Sequence, residues 1–339
     1  MRVAHFVVPN GIDDPAQVSG GNVYDRRVRD GLRSAGWDVR MAPVVVGDDA
    51  DVAAALGTVP EGGVALVDGL VACRAPGTME AAAGRATLVV LAHMVASVLD
   101  AEASDGERRA LAAARLTIAT STWTRAELVR RGLVDAGRIE VALPGSDAAS
   151  PATGTTTGGN LLCVGVVARH KGHDLLVRAL AGLGDVEGWS CTIAGSTSAD
   201  PVFARSIASA ASDAGIGHRV ALAGVLADAQ LERAYASADL LVAPSRAESY
   251  GMAIGDALRH GVPVVASAAG GIPQSFGHSP AVVLLPPGEP AALGLTLRTW
   301  MVDPALRQKL KAAATQGGAE LPSWRDTVDR VAAALGGVA

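Results

Sequence analysis

Two carboxylates, Glu248 and Asp256, lie in a segment that the sequence pattern divides between a loop and a helix. A short apolar run ends at Ala243, Glu248 and Gly251 follow in the loop, and Asp256 lies in the helical pattern beyond. The first backbone amides of a helix are unpaired donors with a partial positive charge, which suits phosphate. We therefore predict that a sugar nucleotide lies along this segment, with its sugar at Glu248, its diphosphate at the helix start and its ribose at Asp256. The alternative is a helix capped by Glu248, with Asp256 solvated on its surface.

A paired-carboxylate hydrolase is a poorer interpretation of the same two residues. If the whole interval were helical, it would rise about 12 Å. Paired carboxylates that cleave glycosides stand roughly 5 to 9.5 Å apart. One long ligand that touches both residues fits this spacing better.

Two cations, Arg169 and Lys171, follow the apolar run 161–167 and precede Gly172. Parallel sheets bind ligands at the carboxyl ends of their strands, where these side chains would lie. Arginine offers a bidentate fork to phosphate oxygens and lysine a mobile point charge. The pair is therefore a candidate diphosphate site, although an ordinary basic turn before a helix is the alternative.

His93 ends the apolar run 88–92, and Asp68 closes another strand of the same predicted sheet. A histidine at a strand end is a candidate polar contact to a ligand, with a structural role as the alternative. The sequence has no cysteine and histidine spacing typical of zinc and no Asp-rich cluster typical of Mg²⁺, so we predict no metal. It also lacks the glycine-rich loops of dinucleotide and phosphoryl-transfer sites, which disfavours both chemistries.

Apolar runs alternate with Ala-rich helical stretches along the chain, which predicts α/β domains with parallel sheets. The segment 150–159 has no periodic pattern of apolar residues, which is typical of an exposed linker. We therefore predict a Rossmann-like domain over 1–149, the linker, a second Rossmann-like domain over 160–320, and a C-terminal helix within 321–339.

Composition limits the partners of the chain. Its 339 residues are 49% hydrophobic and 3% aromatic, with 40 glycines and a net charge of −5. The acidic balance and the absence of basic blocks disfavour nucleic acid. Three scattered cysteines indicate a reducing compartment, and no apolar stretch is long enough to span a bilayer. We expect a soluble, cytoplasmic protein with no integral membrane segment.

Several of these segments together carry a resemblance to a known family. Lys171-Gly172, the 248–256 segment, Gly261-Val262-Pro263-Val264-Val265 and Gly270-Gly271-Ile272-Pro273 resemble the retaining glycosyltransferases of family 4, whose fold is called GT-B. Gly20-Gly21, the stretch 138–147 and Trp324 also fall where that family has comparable features. The resemblance implies two Rossmann-like domains facing each other across a cleft, with the C-terminal helix packing back toward the N-terminal domain. It also implies that the N-terminal domain serves the acceptor and the C-terminal domain the nucleotide sugar.

The resemblance implies roles for individual residues. Glu248 lies near the transferred sugar and Asp256 near the ribose, Arg169 and Lys171 bind the diphosphate, and His93 lines the sugar pocket. The predicted donor-binding residues are Gly20, Gly21, Gly224, Val225, Leu226, Ser249, Tyr250, Gly251, Met252 and Asp256, of which Gly224 to Leu226 would recognise the base through backbone groups.

The chain departs from the family pattern at three positions. Asp256 stands where glutamate is usual, which shortens the carboxylate by about one methylene and loosens the ribose contact or makes it water-bridged. Val166 replaces a common arginine, and Gln274 replaces a common glutamate. The valine at 166 leaves Arg169 to supply that positive charge alone. The glutamine at 274 removes a negative charge near the sugar and phosphate region.

The predicted function is transfer of a sugar from a nucleoside diphosphate sugar, with UDP or GDP as the nucleotide, to a small-molecule or glycan acceptor. The family implies retention of anomeric configuration and no cofactor beyond the donor. The loop 10–22 is the candidate acceptor site. Two alternatives stay open: a sugar-nucleotide epimerase of the same fold, and a non-catalytic nucleotide-sugar-binding protein.

Overall fold

The computed structural model describes residues 2–338. The chain forms two compact units. The first comprises residues 2–14, 20–145 and 322–338, and the second comprises residues 15–19 and 146–321. Each unit contains one six-stranded parallel sheet, as the sequence predicts for two Rossmann-like domains.

The first unit has its strands in the order β2-β1-β3-β4-β5-β6, all parallel. These strands are β1 (Val3–Pro9), β2 (Asp38–Val44), β3 (Val64–Asp68), β4 (Thr87–Ala92), β5 (Leu116–Ala119) and β6 (Ile139–Val141). The helices among them are α1 (Gly20–Ser34), α2 (Asp49–Gly57), α3 (Gly69–Arg74), α4 (Pro76–Ala83), α5 (Ala96–Leu99), α6 (Ser104–Ala113) and α7 (Thr122–Arg130).

Helices cover both faces of this sheet, which explains why its central strands are continuous apolar runs. Alternate residues of a strand point to opposite faces. Val7 accordingly belongs to one buried cluster, and its neighbours Phe6 and Val8 belong to another on the opposite face. The apolar runs seen in the sequence therefore correspond to strands buried on both sides.

The second unit has its strands in the order β12-β11-β10-β7-β8-β9, again all parallel. These strands are β7 (Asn160–Val164), β8 (Ser190–Ala194), β9 (Val220–Gly224), β10 (Leu240–Ala243), β11 (Val264–Ser267) and β12 (Val282–Leu285). The helices are α8 (His173–Ala181), α9 (Pro201–Asp213), α10 (Asp228–Ser237), α11 (Met252–Arg259), α12 (Ile272–Phe276), α13 (Pro290–Val302) and α14 (Pro304–Gly317).

The segment 150–159, predicted as a linker, is held on the second unit by hydrogen bonds. The buried carboxylate of Asp239 accepts bonds from the backbone and the hydroxyl of Thr155 and from the backbone of Asn160. The indole of Trp300 donates to the carbonyl of Gly158 at 2.7 Å. Most of the segment is exposed, as its polar composition suggests, while these hydrogen bonds hold it on the second unit.

The last helix, α15 (Trp324–Gly336), packs against α1 of the first unit. Ser323 caps this helix, because its hydroxyl oxygen accepts a hydrogen bond from the backbone amide of Asp326. The carboxylate of Asp326 accepts one from the backbone amide of Ser323 in return. Val328 and Val331 bury themselves in the same cluster as Phe6. The predicted return of the C-terminal helix to the N-terminal domain is therefore confirmed. Within residues 2–338, no helix combines the length and apolar character needed to cross a membrane.

Candidate functional site

Lys171 and Glu248 meet at the point where the strand order of the second sheet reverses. The chain runs from β7 outward through β8 and β9, then returns to start β10 on the other side of β7. Loops leaving two such neighbouring strands diverge and open a crevice at the carboxyl ends. Lys171 follows β7 and Glu248 follows β10, so the topology brings both to this crevice edge.

Tight backbone packing fixes the loop that carries Lys171. Arg169–Lys171 forms a short 3₁₀ turn, and Gly172 then adopts a left-handed conformation with φ of 72°. A Cβ at Gly172 would lie 2.1 Å from the carbonyl oxygen of Pro244, so only glycine fits there. The carbonyl of His170 also accepts the backbone amide of Arg246 at 2.7 Å. The two loops are therefore joined to each other.

A pair of glycines, Gly270 and Gly271, fixes the backbone at Glu248. The amide of Gly271 donates to the carbonyl of Glu248 at 2.9 Å. Gly270 has φ of 54°, and a Cβ there would lie 1.9 Å from the same carbonyl oxygen. The Gly270-Gly271 motif found in the sequence thus lets the two chain segments come together and sets the position of Glu248.

The side chains of Lys171 and Glu248 form an ion pair, with 2.5 Å between Nζ and Oε2. Their side chains are 23% and 15% exposed, so the pair is largely buried yet reachable from solvent. The ammonium can bind a phosphate oxygen and the carboxylate can accept hydrogen bonds from sugar hydroxyls.

Arg169 lies apart from this ion pair. Its side chain is 74% exposed, stands 3.5 Å from Asp200 and lies over the ring of Phe203 at 5.2 Å. Arg246, which the sequence reasoning did not select, instead makes a bidentate contact to Asp174 at 2.7 Å. The Arg246 guanidinium, opposed by burial and helped by Arg178, lowers the pKa of Asp174 to about 2. This pair ties the loop after β10 to the start of α8.

Helix α11 begins immediately after the loop that carries Glu248. Gly251 precedes it in a left-handed conformation with φ of 101°, and no side chain caps the first turn. These amides are therefore available to an anion. The preceding Tyr250 is buried against Phe276, with ring centroids 5.2 Å apart.

Asp256 lies half-buried on the same helix, beyond the first turn. Burial and then the charge of Asp256 raise the pKa of Tyr250 to about 12, and they raise that of Tyr235 as well. Asp256 is thus close enough to both tyrosine rings for its charge to raise the pKa of their hydroxyls. It does not lie on the loop that carries Glu248, which agrees with the division between loop and helix predicted from the sequence.

The other predicted donor-binding residues fall at an element end or on the loop before α11. Gly224 ends β9 with φ of 67°, and Val225 and Leu226 follow it outside regular structure, partly exposed. Ser249 lies in the loop before α11, and Met252 is the first residue of that helix. Their roles in donor binding are predictions.

In the first unit, His93 follows β4 and lies between two buried carboxylates. Its Nε2 is 2.9 Å from Oδ1 of Asp25 and 3.2 Å from Oδ2 of Asp68. Burial lowers the pKa of His93, but Asp25 and then Asp68 outweigh it and raise the pKa to about 10. Burial raises the pKa of Asp25 to about 6, despite the opposing effect of His93.

Gly21, at the start of α1, makes room for this histidine. A Cβ at Gly21 would lie 3.3 Å from Cδ2 of His93. The neighbouring Gly20 is exposed at the helix start. The sequence reasoning placed Asp68 near His93 correctly but missed Asp25. The available signal was an acidic residue beside Tyr24 on the buried face of α1.

Solved structures with similar folds cover almost the whole chain. A sucrose-phosphate synthase from Thermosynechococcus elongatus superposes with a TM-score of 0.83 at 19% identity, covering 98% of both chains. HepE from Anabaena, solved in complex with UDP-glucose, gives a TM-score of 0.80 at 17% identity, covering 99% of this chain and 100% of that one. At these identities the likeness shows the fold, which is the GT-B fold predicted from the sequence.

Sequence comparisons find similar proteins for part of the chain. Residues 152–317 match the glycosyl transferases group 1. A D-inositol 3-phosphate glycosyltransferase of Mycolicibacterium gilvum is 31% identical over 275 residues, covering 74% of this chain and 60% of the relative. A second, from Catenulispora acidiphila, is 33% identical over 216 residues, covering 61% of this chain and 48% of the relative. The matched half of this chain is similar to the glycosyl transferases group 1, the resemblance that its motifs carry. The chain spans about half to three fifths of the length of these curated relatives.

Proposed function

We propose that the protein transfers a sugar from a nucleoside diphosphate sugar to an acceptor, with retention of anomeric configuration. The observation that carries the proposal is the Lys171–Glu248 ion pair at the reversal point of the second sheet, followed directly by the uncapped start of α11. This arrangement offers a cation, a carboxylate and free amides to one ligand that carries both phosphates and hydroxyls. The match of residues 152–317 to the glycosyl transferases group 1 supports the same chemistry.

In the proposed reaction, the bond between the anomeric carbon and the diphosphate oxygen breaks, and a bond to an acceptor hydroxyl oxygen forms on the same face of the sugar. The acceptor proton leaves with the diphosphate. Negative charge grows on the departing diphosphate, where Lys171, Arg169 and the first amides of α11 stabilise it. Arg169 reaches the diphosphate by leaving Asp200, which its 74% exposure permits.

Glu248 holds the transferred sugar by accepting hydrogen bonds from its hydroxyls, which keeps the anomeric carbon oriented toward the acceptor. Asp256 contacts the ribose, and the backbone of 224–226 contacts the base. His93 contributes a polar contact from the first unit, which serves the acceptor through the loop 10–22. No metal takes part in binding the diphosphate in this proposal.

The donor class is a nucleoside diphosphate sugar, with UDP or GDP as the nucleotide. The complex of HepE with UDP-glucose and the curated relatives named for D-inositol 3-phosphate suggest the first donor and acceptor to try. The acceptor is a small molecule or a glycan. A cytoplasmic site of action, expected from the cysteines, belongs to the same proposal.

The test is to incubate the protein with a panel of UDP-, GDP- and dTDP-sugars, with and without inositol phosphate and simple glycosides. Free sugar plus nucleotide, or a glycosylated acceptor with the donor's anomeric configuration, supports the proposal. An isomerised nucleotide sugar identifies an epimerase, and binding without turnover identifies a binding protein. Lys171→Ala must abolish the activity that is found, and Arg205→Ala, a change at a position on α9, must leave it intact.

A further inference from the structure

Asp25, Asp68 and His93 form a cluster of potential metal ligands in the first unit. Asp25 comes from α1, Asp68 from the end of β3, and His93 from the residue after β4. One ligand atom from each lies within 4.8 Å of the others. Asp25 is fully buried, Asp68 is 4% exposed, and the His93 side chain is 19% exposed.

Hydrogen bonds leave one buried oxygen of this cluster without a partner. Nε2 of His93 carries at most one hydrogen, yet it faces an oxygen from each carboxylate. The other oxygen of Asp68 is satisfied, because it accepts the amides of Leu70 and Val71. Oδ2 of Asp25 is buried and has no hydrogen-bond partner among residues 2–338. A buried acceptor without a partner is costly, so Oδ2 of Asp25 calls for a donor or cation that His93 does not supply.

We propose that Asp25, Asp68 and His93 bind a divalent transition-metal ion. Ligand atoms about 2.0 to 2.2 Å from zinc stand roughly 3.0 to 3.4 Å apart across right or tetrahedral angles. The observed separations from Nε2, 2.9 and 3.2 Å, match this spacing. An ion that displaces the proton of His93 leaves two carboxylates and a neutral imidazole, which together balance the charge of a divalent cation. The imidazole favours a first-row transition ion such as Zn²⁺ over Mg²⁺ or Ca²⁺.

The surrounding residues hold the ligands in place. The two amide bonds to Asp68 fix its carboxylate at the start of α3. The His93 ring packs against Gly21 and, edge to face, against Tyr24 at 5.3 Å between centroids. The partial exposure of His93 provides an entry path for the ion. Ligation through Nε2 would place the ring hydrogen on Nδ1 and fix the tautomer of His93. The metal site rests on this geometry alone and does not depend on glycosyl transfer.

The experiment measures metal retention by the full chain. Protein stripped with a chelator is mixed with one equivalent of Zn²⁺, desalted, and analysed by mass spectrometry for bound metal. We expect about one Zn²⁺ per chain and a higher Tm in its presence, because an ion that binds only the folded state stabilises it. Co²⁺ in place of Zn²⁺ should give visible absorption bands. No retention by the wild-type chain would overturn the proposal.

Variants assign the ion to these ligands. His93→Gln and Asp25→Asn should lose the retained Zn²⁺, the Tm increase and the Co²⁺ bands. The matched control His218→Gln, at an exposed histidine of the second unit, should keep all three. If Asp25→Asn fails to fold, His93→Gln decides, because its side chain is partly exposed. Equal retention by His93→Gln and the wild type would show that the ion binds elsewhere and would refute the site.

Discussion

Replacing Glu248 with glutamine separates the two roles that its ion pair combines. The Lys171 ammonium is 2.5 Å from the Glu248 carboxylate. A diphosphate that binds Lys171 must compete with this carboxylate. Glu248→Gln keeps the shape and a hydrogen-bonding group but removes the competing charge. We therefore expect UDP to bind as tightly or more tightly, while kcat falls.

The sizes of the two effects follow from the exposure of the pair. Ion pairs at a protein surface contribute up to about 1 kcal/mol, and this one, with side chains 23% and 15% exposed, is screened less by solvent. Releasing Lys171 should thus strengthen UDP binding by about fivefold or more. Lys171→Ala loses a charge-assisted bond and should weaken UDP binding by about 1.5 to 3 kcal/mol. The loss of a charged contact to the reacting sugar in Glu248→Gln should lower kcat by roughly 10- to 150-fold, the same energy range.

Calorimetry with UDP and steady-state kinetics with the preferred donor measure the two effects separately. The double variant Lys171→Ala/Glu248→Gln completes a cycle, in which the two changes must be non-additive for UDP affinity. Glu187→Gln, at an exposed loop position, is the control for charge removal in general. A tenfold loss of UDP affinity in Glu248→Gln with kcat preserved would refute the division of roles.

Four further expectations concern the donor contacts and the fold. Asp256→Asn should raise KM for the donor with kcat nearly unchanged, because a ribose contact is made equally before and during reaction, and equal kcat losses at both carboxylates would contradict this. UDP affinity, measured by calorimetry, should be the same in EDTA as in Mg²⁺, because Lys171 neutralises the diphosphate. A loss of UDP affinity on chelation would show that a metal takes part in diphosphate binding. Burial and then Lys171 lower the pKa of His173 to about 4, so protonation destabilises the fold as pH falls from 6.5 toward 4. Between pH 7 and 5, the free energy of unfolding of the wild type should therefore fall by about 2 kcal/mol more than that of His173→Leu, as urea titrations at the two pH values measure. Asp239→Asn should lower the free energy of unfolding in urea by about 1 to 3 kcal/mol, since it removes the charge of a buried carboxylate that pairs with Lys311, whose side chain is 35% exposed. A loss no larger than that of an exposed-site control would contradict the role of Asp239 in holding the segment 150–159.

The central strands were predictable because burial on both faces makes them continuous apolar runs. Val64 to Val67 and Thr87 to Ala92 are apolar runs of this kind, and they form β3 and β4. Strand β6 has no such run, because Ile139–Val141 is short and holds a charged residue at its centre.

The candidate site was predictable only where neighbouring residues in the sequence carry it. The glycines at 172 and 270–271 fall in motifs, and each fits where a Cβ would collide with a carbonyl oxygen. The Lys171–Glu248 ion pair joins positions far apart in the sequence, and only the pairing of β7 with β10 brings them together. Asp25 was missed for the same reason, since its partner His93 lies on another element.

The ion pair also bears on which ligand the site prefers. Lys171 and Glu248 neutralise each other, so neither is an unpaired, largely buried charge. A nucleoside diphosphate replaces Glu248 as the partner of Lys171 and leaves that carboxylate beside an anion. A nucleotide sugar replaces both partners at once, because its phosphates meet the lysine and its hydroxyls meet the carboxylate. The same two side chains therefore favour the intact donor over the product nucleotide, which suits an enzyme that must release the diphosphate after transfer.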